Sequence, residues 1–371
     1  MTFPAMSRSV PASRSKLLDA NLAGWAMAGP AIALIAVFVI APFILAFGLS
    51  FTNQRLISPN PTQWVGTENF ANLLGLGIIP LTPEVDAATG EIKREPSGAP
   101  HFPSTRSWTR NNPDHPWFNG MRDWFAVTLG QARYAVVASD VLFMKALVNT
   151  VLFVIVVAPT QGGLALLLAL LINQKLPGIN IFRAIYFMPV VVSIVVVSLL
   201  WRFIYSGENG LLNNMLGALT FGAFRPVDWL GEPSTALWAI TAMSIWQAVG
   251  FHMVIWLSGL QTISPTLYEA AGIEGANHWQ MFRYVTWPGL RNTAVLVLVV
   301  ITMQAFGLFS QIAVMTQGGP TDSTQTVVFQ AVERGYGKQD IAGGSAISLV
   351  LFLIVLGVSL FQRYLTRERT P

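Results

Sequence analysis

Apolar residues come in long blocks along this chain, and charge is confined to the stretches between them. No Asp, Glu, Lys or Arg occurs from Ala20 to Gln54, from Pro233 to Tyr268, or from Asn292 to Thr321. Each block is long enough for a helix to cross a bilayer, which takes about 20 apolar residues. The pattern predicts six spans, at about Trp25–Phe51, Lys145–Ile172, Phe182–Tyr205, Thr235–Leu260, Thr293–Thr316 and Ala342–Tyr364. The first exceeds the core of about 7–15 residues of a cleaved signal peptide, so it reads as an uncleaved helix. Pro30 and Pro42 fall within or near its ends, which membrane helices tolerate. Pro189 is expected to kink the third span.

The chain then divides into a tail at 1–23, a first span within 24–54, a long extramembrane segment at 55–140, a five-helix core at 141–365 and a second tail at 366–371. The region at about 75–138 is rich in Pro, Gly, Asn, Trp and charge and reads as an insertion. Trp108, Trp117 and Trp124 with Phe102, Phe118 and Phe125 suggest a small aromatic cluster there, and 121–137 suggests one amphipathic helix. The insertion either packs on the membrane face or docks a soluble protein.

A polar loop at 261–292 separates the fourth and fifth spans. Glu269, Ala270, Ala271 and Gly272 suggest a short helix, and Gly275 permits a turn at positive φ. Trp279, Phe282 and Tyr284 or Val285 give a second short helix an apolar face, which Pro288 is expected to end. Two small helices around a glycine, led by one carboxylate, look built to be held by another protein.

Composition supports a membrane protein. The chain is 53% hydrophobic and 11% charged, against about 25% charged in soluble domains. It has no cysteine, which excludes disulfides, thiolate metal sites and cysteine nucleophiles. The net charge of +4 requires no nucleic acid, because cytoplasmic loops gather Lys and Arg. With both termini inside, the inner segments hold Arg8, Arg14, Lys16, Lys175, Arg183, Arg283, Arg291, Arg363, Arg367 and Arg369. In the two short outer loops Arg202, Arg225, Arg334 and Lys338 are offset by Glu208, Asp228, Glu232, Asp322, Glu333 and Asp340. The loop at 261–292 thus faces the cytoplasm.

No G-x-x-x-x-G-K-S/T pattern occurs, so no ATP is expected in a P-loop of this chain. The four histidines lack metal-ligand spacing, and no Ser/His/Asp set stands out. The chain does not read as an enzyme. No Asp, Glu, Lys or Arg lies mid-span, whereas ion-coupled transporters keep such groups in the membrane. His252 reads as a neutral histidine bonded between helices, with proton coupling the alternative.

Uncharged polar groups do fall mid-span. Gln247, Gly250 and Phe251 share one face of the fourth span, with Trp246 beside them. Gln304, Leu308 and Gln311 share one face of the fifth. Amides and an aromatic ring suit a sugar. Helix–helix hydrogen bonding, about 0.6 kcal/mol per pair in membranes, is the other reading.

The loop resembles a known family. Glu269-Ala-Ala271, Gly275 six residues after Glu269, and a helix ending Val285-Thr-Trp-Pro288 are similar to the coupling loop of permease subunits of binding-protein-dependent ABC importers. Trp287 departs from the leucine usual before the proline. Gln63–Leu74, Ser139–Thr150, Phe182–Pro189, Trp201–Asn213 and Met315–Pro320 resemble further segments of the sugar-type permeases. The Gly318-Gly-Pro320 segment resembles the first permease of a heteromeric pair of the maltose-transporter type. The resemblance implies an all-α polytopic protein with the type I ABC importer permease fold and an extended extracytoplasmic loop after helix one. It implies a bacterial inner membrane, a second homologous permease, an ATPase dimer holding the ATP and Mg, an extracytoplasmic solute-binding protein and a sugar substrate. It places ATPase coupling on Glu269, Ala270, Ala271, Gly275 and Pro288. It places substrate contacts on the helices flanking the loop, and so on Trp246, Gln247, Gly250, Phe251, Gln304, Leu308 and Gln311. A glycerol phosphodiester or polyol permease is the alternative within the family, and an ion-coupled secondary transporter the alternative outside it.

Overall fold

The structure is a computed structural model and describes residues 14–86, 91–130, 132–174 and 177–366. The first span is built from α1 (Arg14–Ile35), a π-helical turn (Ala36–Ile40) and α2 (Ala41–Leu49). Its membrane-length apolar part is Gly24–Leu49. Helix thus begins at Arg14, inside the stretch expected as a tail, whose residues 1–13 lie outside the described ones. Pro42 lies inside this continuous helical run, and the π-helical turn ahead of it passes Ala41 N–H to Ala36 O, five residues back, which moves the Phe38 carbonyl out of the proline ring's way. The span touches the rest of the bundle through the edge-on pair Phe43–Phe352, with ring centroids 4.9 Å apart.

Outside the membrane, α3 (Glu68–Leu74) is pinned to the end of the first span. The Asn69 amide donates to the carbonyls of Ser50 and Thr52 at 2.8 and 2.7 Å. Then come β1 (Leu76–Leu81), α4 (Arg106–Thr109), β2 (Arg122–Leu129) and β3 (Ala132–Ala138). The three strands form an antiparallel sheet in the order β1-β3-β2. The helix expected over 121–137 is therefore a hairpin. Phe125, Val127 and Leu129 pair with Val136, Tyr134 and Ala132, and the first two pairs are of the β-branched and aromatic types that favour strands. Gly130 at φ +64° opens the turn between them. Of the expected aromatic cluster, Phe102, Trp108 and Phe118 join Ile79, Leu81 and Val137 in a small core, while Trp117 is exposed. Trp124 leaves that core and packs on a second cluster, in which Leu73 meets Phe143, Met144, Ile347 and Val350 of the membrane core. The insertion is thereby bolted to the adjoining ends of two spans.

The core follows as α5 (Val141–Ile172), α6 (Ile179–Val191), α7 (Ile194–Ile204), α8 (Leu211–Leu219) and α9 (Ala236–Gln261). Next come α10 (Pro265–Ile273), α11 (His278–Met281), a π-helical turn (Phe282–Thr286) and α12 (Trp287–Gly289). The chain ends in α13 (Arg291–Phe306), α14 (Ser310–Met315), α15 (Val327–Val332) and α16 (Ile341–Thr366). Among the described residues five helices are long and apolar enough to span, and α6 with α7 supplies the sixth as a pair bent by 95°. The third span is thus broken outright rather than kinked. Its break falls at Val192 and Ser193, whose ψ of 137° and 132° are extended. Pro189 lacks an N–H and weakens the ladder just ahead of it.

Close approaches lock the spans. The Trp256 indole donates to the Gly162 carbonyl at 3.1 Å, joining α9 to α5. At the end of the bundle that carries the sheet, the Arg334 guanidinium donates to Asp140 at 2.9 Å and to Asp340 at 2.8 Å, all three half-buried. The same carboxylates accept from Phe143 N and Gly343 N, so they cap α5 and begin α16. Arg334→Met should lower the stability of the detergent-solubilised protein by about 2–3 kcal/mol, since hydrogen bonds to charged groups contribute about 1.5–3 kcal/mol. A thermal-unfolding curve checks this, and an unchanged midpoint would show the clamp to be dispensable.

Candidate functional site

The facing sides of α5, α9, α13 and α14, with the α6–α7 break, enclose a cavity of about 440 Å³, within the range of small-molecule sites. Its walls carry Gln161, Ser244, Gln247, Gln304 and Gln311 as polar groups and no charged side chain. Phe153, Val157, Phe251, Ile301 and Leu308 supply apolar surface. Phe251 adds a partly exposed ring.

Five of the seven expected substrate contacts meet here: Gln247, Phe251, Gln304, Leu308 and Gln311. The spacing argument assumed one continuous fifth helix. The structure ends α13 at Phe306 and restarts at Ser310, yet all three fifth-span residues still line the cavity. The side chains of Gln304 and Gln311 make no hydrogen bond among the described residues, so their amides are open to a ligand. Gln247 is partly engaged, its Nε2 lying 3.5 Å from the Pro189 carbonyl that the helix break leaves without its own donor.

The other two residues lie elsewhere. Trp246 turns away from the cavity and packs on Trp201, with centroids 5.3 Å apart. Gly250 is buried where α9 meets α6, and a Cβ there would come within 1.9 Å of the Tyr186 carbonyl oxygen. It lets two backbones touch. Sequence reasoning passed over Gln161 and Ser244. Ser244 was findable, since it stands one turn before Gln247 and Ala248 on the same face. Gln161 was marked by its polarity inside an apolar span.

At the opposite end of the bundle from the Arg334 clamp, the loop between α9 and α13 forms two helices around Gly275. Gly275 has φ +77°, the left-handed conformation expected of it. Asn277 then starts α11 with a reciprocal capping box, exchanging bonds with Gln280 at 2.8 and 2.9 Å. Glu269 and Ala270 are exposed on α10, and Glu269 makes no ion pair among the described residues. Ile273, Trp279 and Tyr284 lie around them with relative exposures of 88%, 66% and 70%, an apolar surface left bare by this chain. Pro288 does not end the second helix as expected. The π-helical turn ahead of it passes Trp287 N–H to Phe282 O, five residues back. That shift moves the Tyr284 carbonyl out of the proline ring's way, and helix resumes at α12 and α13.

Spans around an uncharged polar cavity, with a helical loop presented at one end, define a membrane permease subunit. The chain belongs to the family of binding-protein-dependent transport system inner membrane components, whose family model matches residues 161–370. It is a multi-pass permease of an ABC importer. The trehalose/maltose transport system permease protein MalF of Thermococcus litoralis is 34% identical over 241 residues, covering 65% of this chain and 80% of that protein. The lactose transport system permease protein LacF of Rhizobium radiobacter is 32% identical over 235 residues, covering 62% and 78%. The fold is shared with the crystal structure of a bacterial ABC transporter involved in the import of the acidic polysaccharide alginate. That match has a TM-score of 0.69 at 20% identity and covers 96% of this chain and 99% of the other.

Proposed function

We propose that this chain is the substrate-bearing permease of a heteromeric sugar importer. The observation that carries the reading is the uncharged cavity, whose free amides and half-open aromatic ring match the hydroxyls and apolar face of a saccharide. The transport of trehalose, maltose and lactose named for its relatives supports the same class. Gln304, Gln311 and Gln247 are the hydrogen-bonding contacts, and Phe251 and Leu308 the apolar ones. Trp246 and Gly250 shape the helix packing behind them. A phosphodiester substrate would call for a cation, and the walls offer amides and a hydroxyl instead.

Both termini lie in the cytoplasm, as the charge distribution favours. The loop at 261–292 then meets an ATPase dimer there, with Glu269, Ala270 and Ala271 in a cleft of that partner. Gly275 sets the angle of the second short helix, and Pro288 marks its passage into α13. ATP-driven closure moves this loop and its counterpart on a second permease together. The spans open outward and receive sugar from an extracytoplasmic binding protein.

The test is purification from the native membrane in mild detergent, with mass spectrometry of what accompanies the chain. A second permease and an ATPase are the expected companions. Recovery of the chain alone or as a homodimer would overturn the coupling assignment.

A further inference from the structure

Gln161 lines the cavity from α5, is 3% exposed, and has its amide 2.7 Å from His252 Nδ1 on α9. The same ring nitrogen lies 2.9 Å from the carbonyl oxygen of Ala248, one turn earlier in α9. His252 is fully buried, and its Nε2 has no hydrogen-bond partner. These facts settle the proton. A carbonyl oxygen only accepts, so the nitrogen facing it must donate, and a neutral imidazole has one N–H. The proton is therefore on Nδ1 and Nε2 is bare. The opposite tautomer would set a lone pair against the Ala248 oxygen and bury an N–H with nothing to receive it.

The consequence reaches the cavity. An amide nitrogen of Gln161 facing Nδ1 would set donor against donor. The two ends of a glutamine amide have nearly the same shape, so hydrogen-bond chemistry decides between them. With the amide reversed, its oxygen shares the Nδ1 proton with Ala248 and its NH2 group points away from His252. We infer that Ala248, through the tautomer of His252, fixes Gln161 as a hydrogen-bond donor toward the cavity, where it selects an acceptor oxygen of a saccharide. His252 is a positioning residue, and Gln161 a determinant of specificity. The inference rests on the reading of this cavity as the sugar path.

The tautomer is measurable without a substrate. In the assembled importer carrying 15N-histidine, the signal lost in His252→Gln is the one of interest. A protonated Nδ1 with a bare Nε2 is expected. A ring protonated at Nε2, or at both nitrogens, overturns the inference. Transport then tests the donor. Gln161→Met removes the amide donor from the cavity wall at similar volume and adds no charge. Uptake of 14C-maltose, 14C-trehalose or 14C-lactose, whichever the wild-type complex carries, should fall about tenfold or more at saturating binding protein, since the acceptor oxygen of the sugar is left unmet. Gln304→Leu, on α13, separates the two readings. Loss with Gln304→Leu but wild-type uptake with Gln161→Met overturns the donor assignment alone. Wild-type uptake in both removes the cavity from the path and overturns the two together.

Discussion

Glu269→Lys should abolish sugar uptake while leaving the protein inserted at normal abundance. Glu269 is exposed on α10, and no hydrogen bond or ion pair among the described residues depends on it. A surface substitution of that kind changes stability by about 0.5 kcal/mol or less. The loss must therefore come from outside the chain. A carboxylate held against a basic group of an ATPase becomes, on reversal, a like-charge contact that costs several kcal/mol. ATP-driven uptake into vesicles, with immunoblots for membrane content, checks the expectation. A wild-type rate would remove Glu269 from coupling. Gly275→Val should impair uptake as well, because a side chain at φ +77° costs about 1–2 kcal/mol.

Gly250→Leu should prevent stable accumulation, and Gly250→Ala should lower both thermal stability and uptake. The added Cβ would meet the Tyr186 oxygen at 1.9 Å and its carbonyl carbon at 2.7 Å. Both are backbone atoms, and no rotamer relieves the contact. α6 and α9 must separate, at about 1–3 kcal/mol or more for overpacking. The Gln247 contact to Pro189 and the shape of the cavity wall change with them. Gly163→Ala is the matched control, since a Cβ there meets nothing within 4 Å. Similar melting curves for Gly250→Ala and Gly163→Ala would show that the α6–α9 contact has slack.

The spans and the two-helix loop were legible because charge is excluded from one and gathered in the other. The cavity face was legible where polar residues repeat at helical spacing within one span, as Gln304, Leu308 and Gln311 do. What depends on a neighbour was not. Gly250 has a sugar-facing position by spacing alone, and only the nearness of α6 gives it a packing task. Gln161 finds its partner 91 residues away, beyond any local pattern. The 95° break in the third span follows Pro189 at a distance, and proline is tolerated in membrane helices too often to announce it. The β2–β3 hairpin was read as a helix because its charged and apolar residues also fit a longer period, and Gly130 was the punctuation that decided it.

The widened turn at Phe282–Thr286 has one further effect. A single residue added to a helix rotates everything beyond it by about 100°. The turn therefore sets the phase between the loop and the span carrying Gln304. Deleting one residue there would keep the chemistry of the loop almost intact and aim it in the wrong direction. Chain length in this stretch is as much part of the message as composition. A comparison that scores only which residues are present would miss a frameshift in angle.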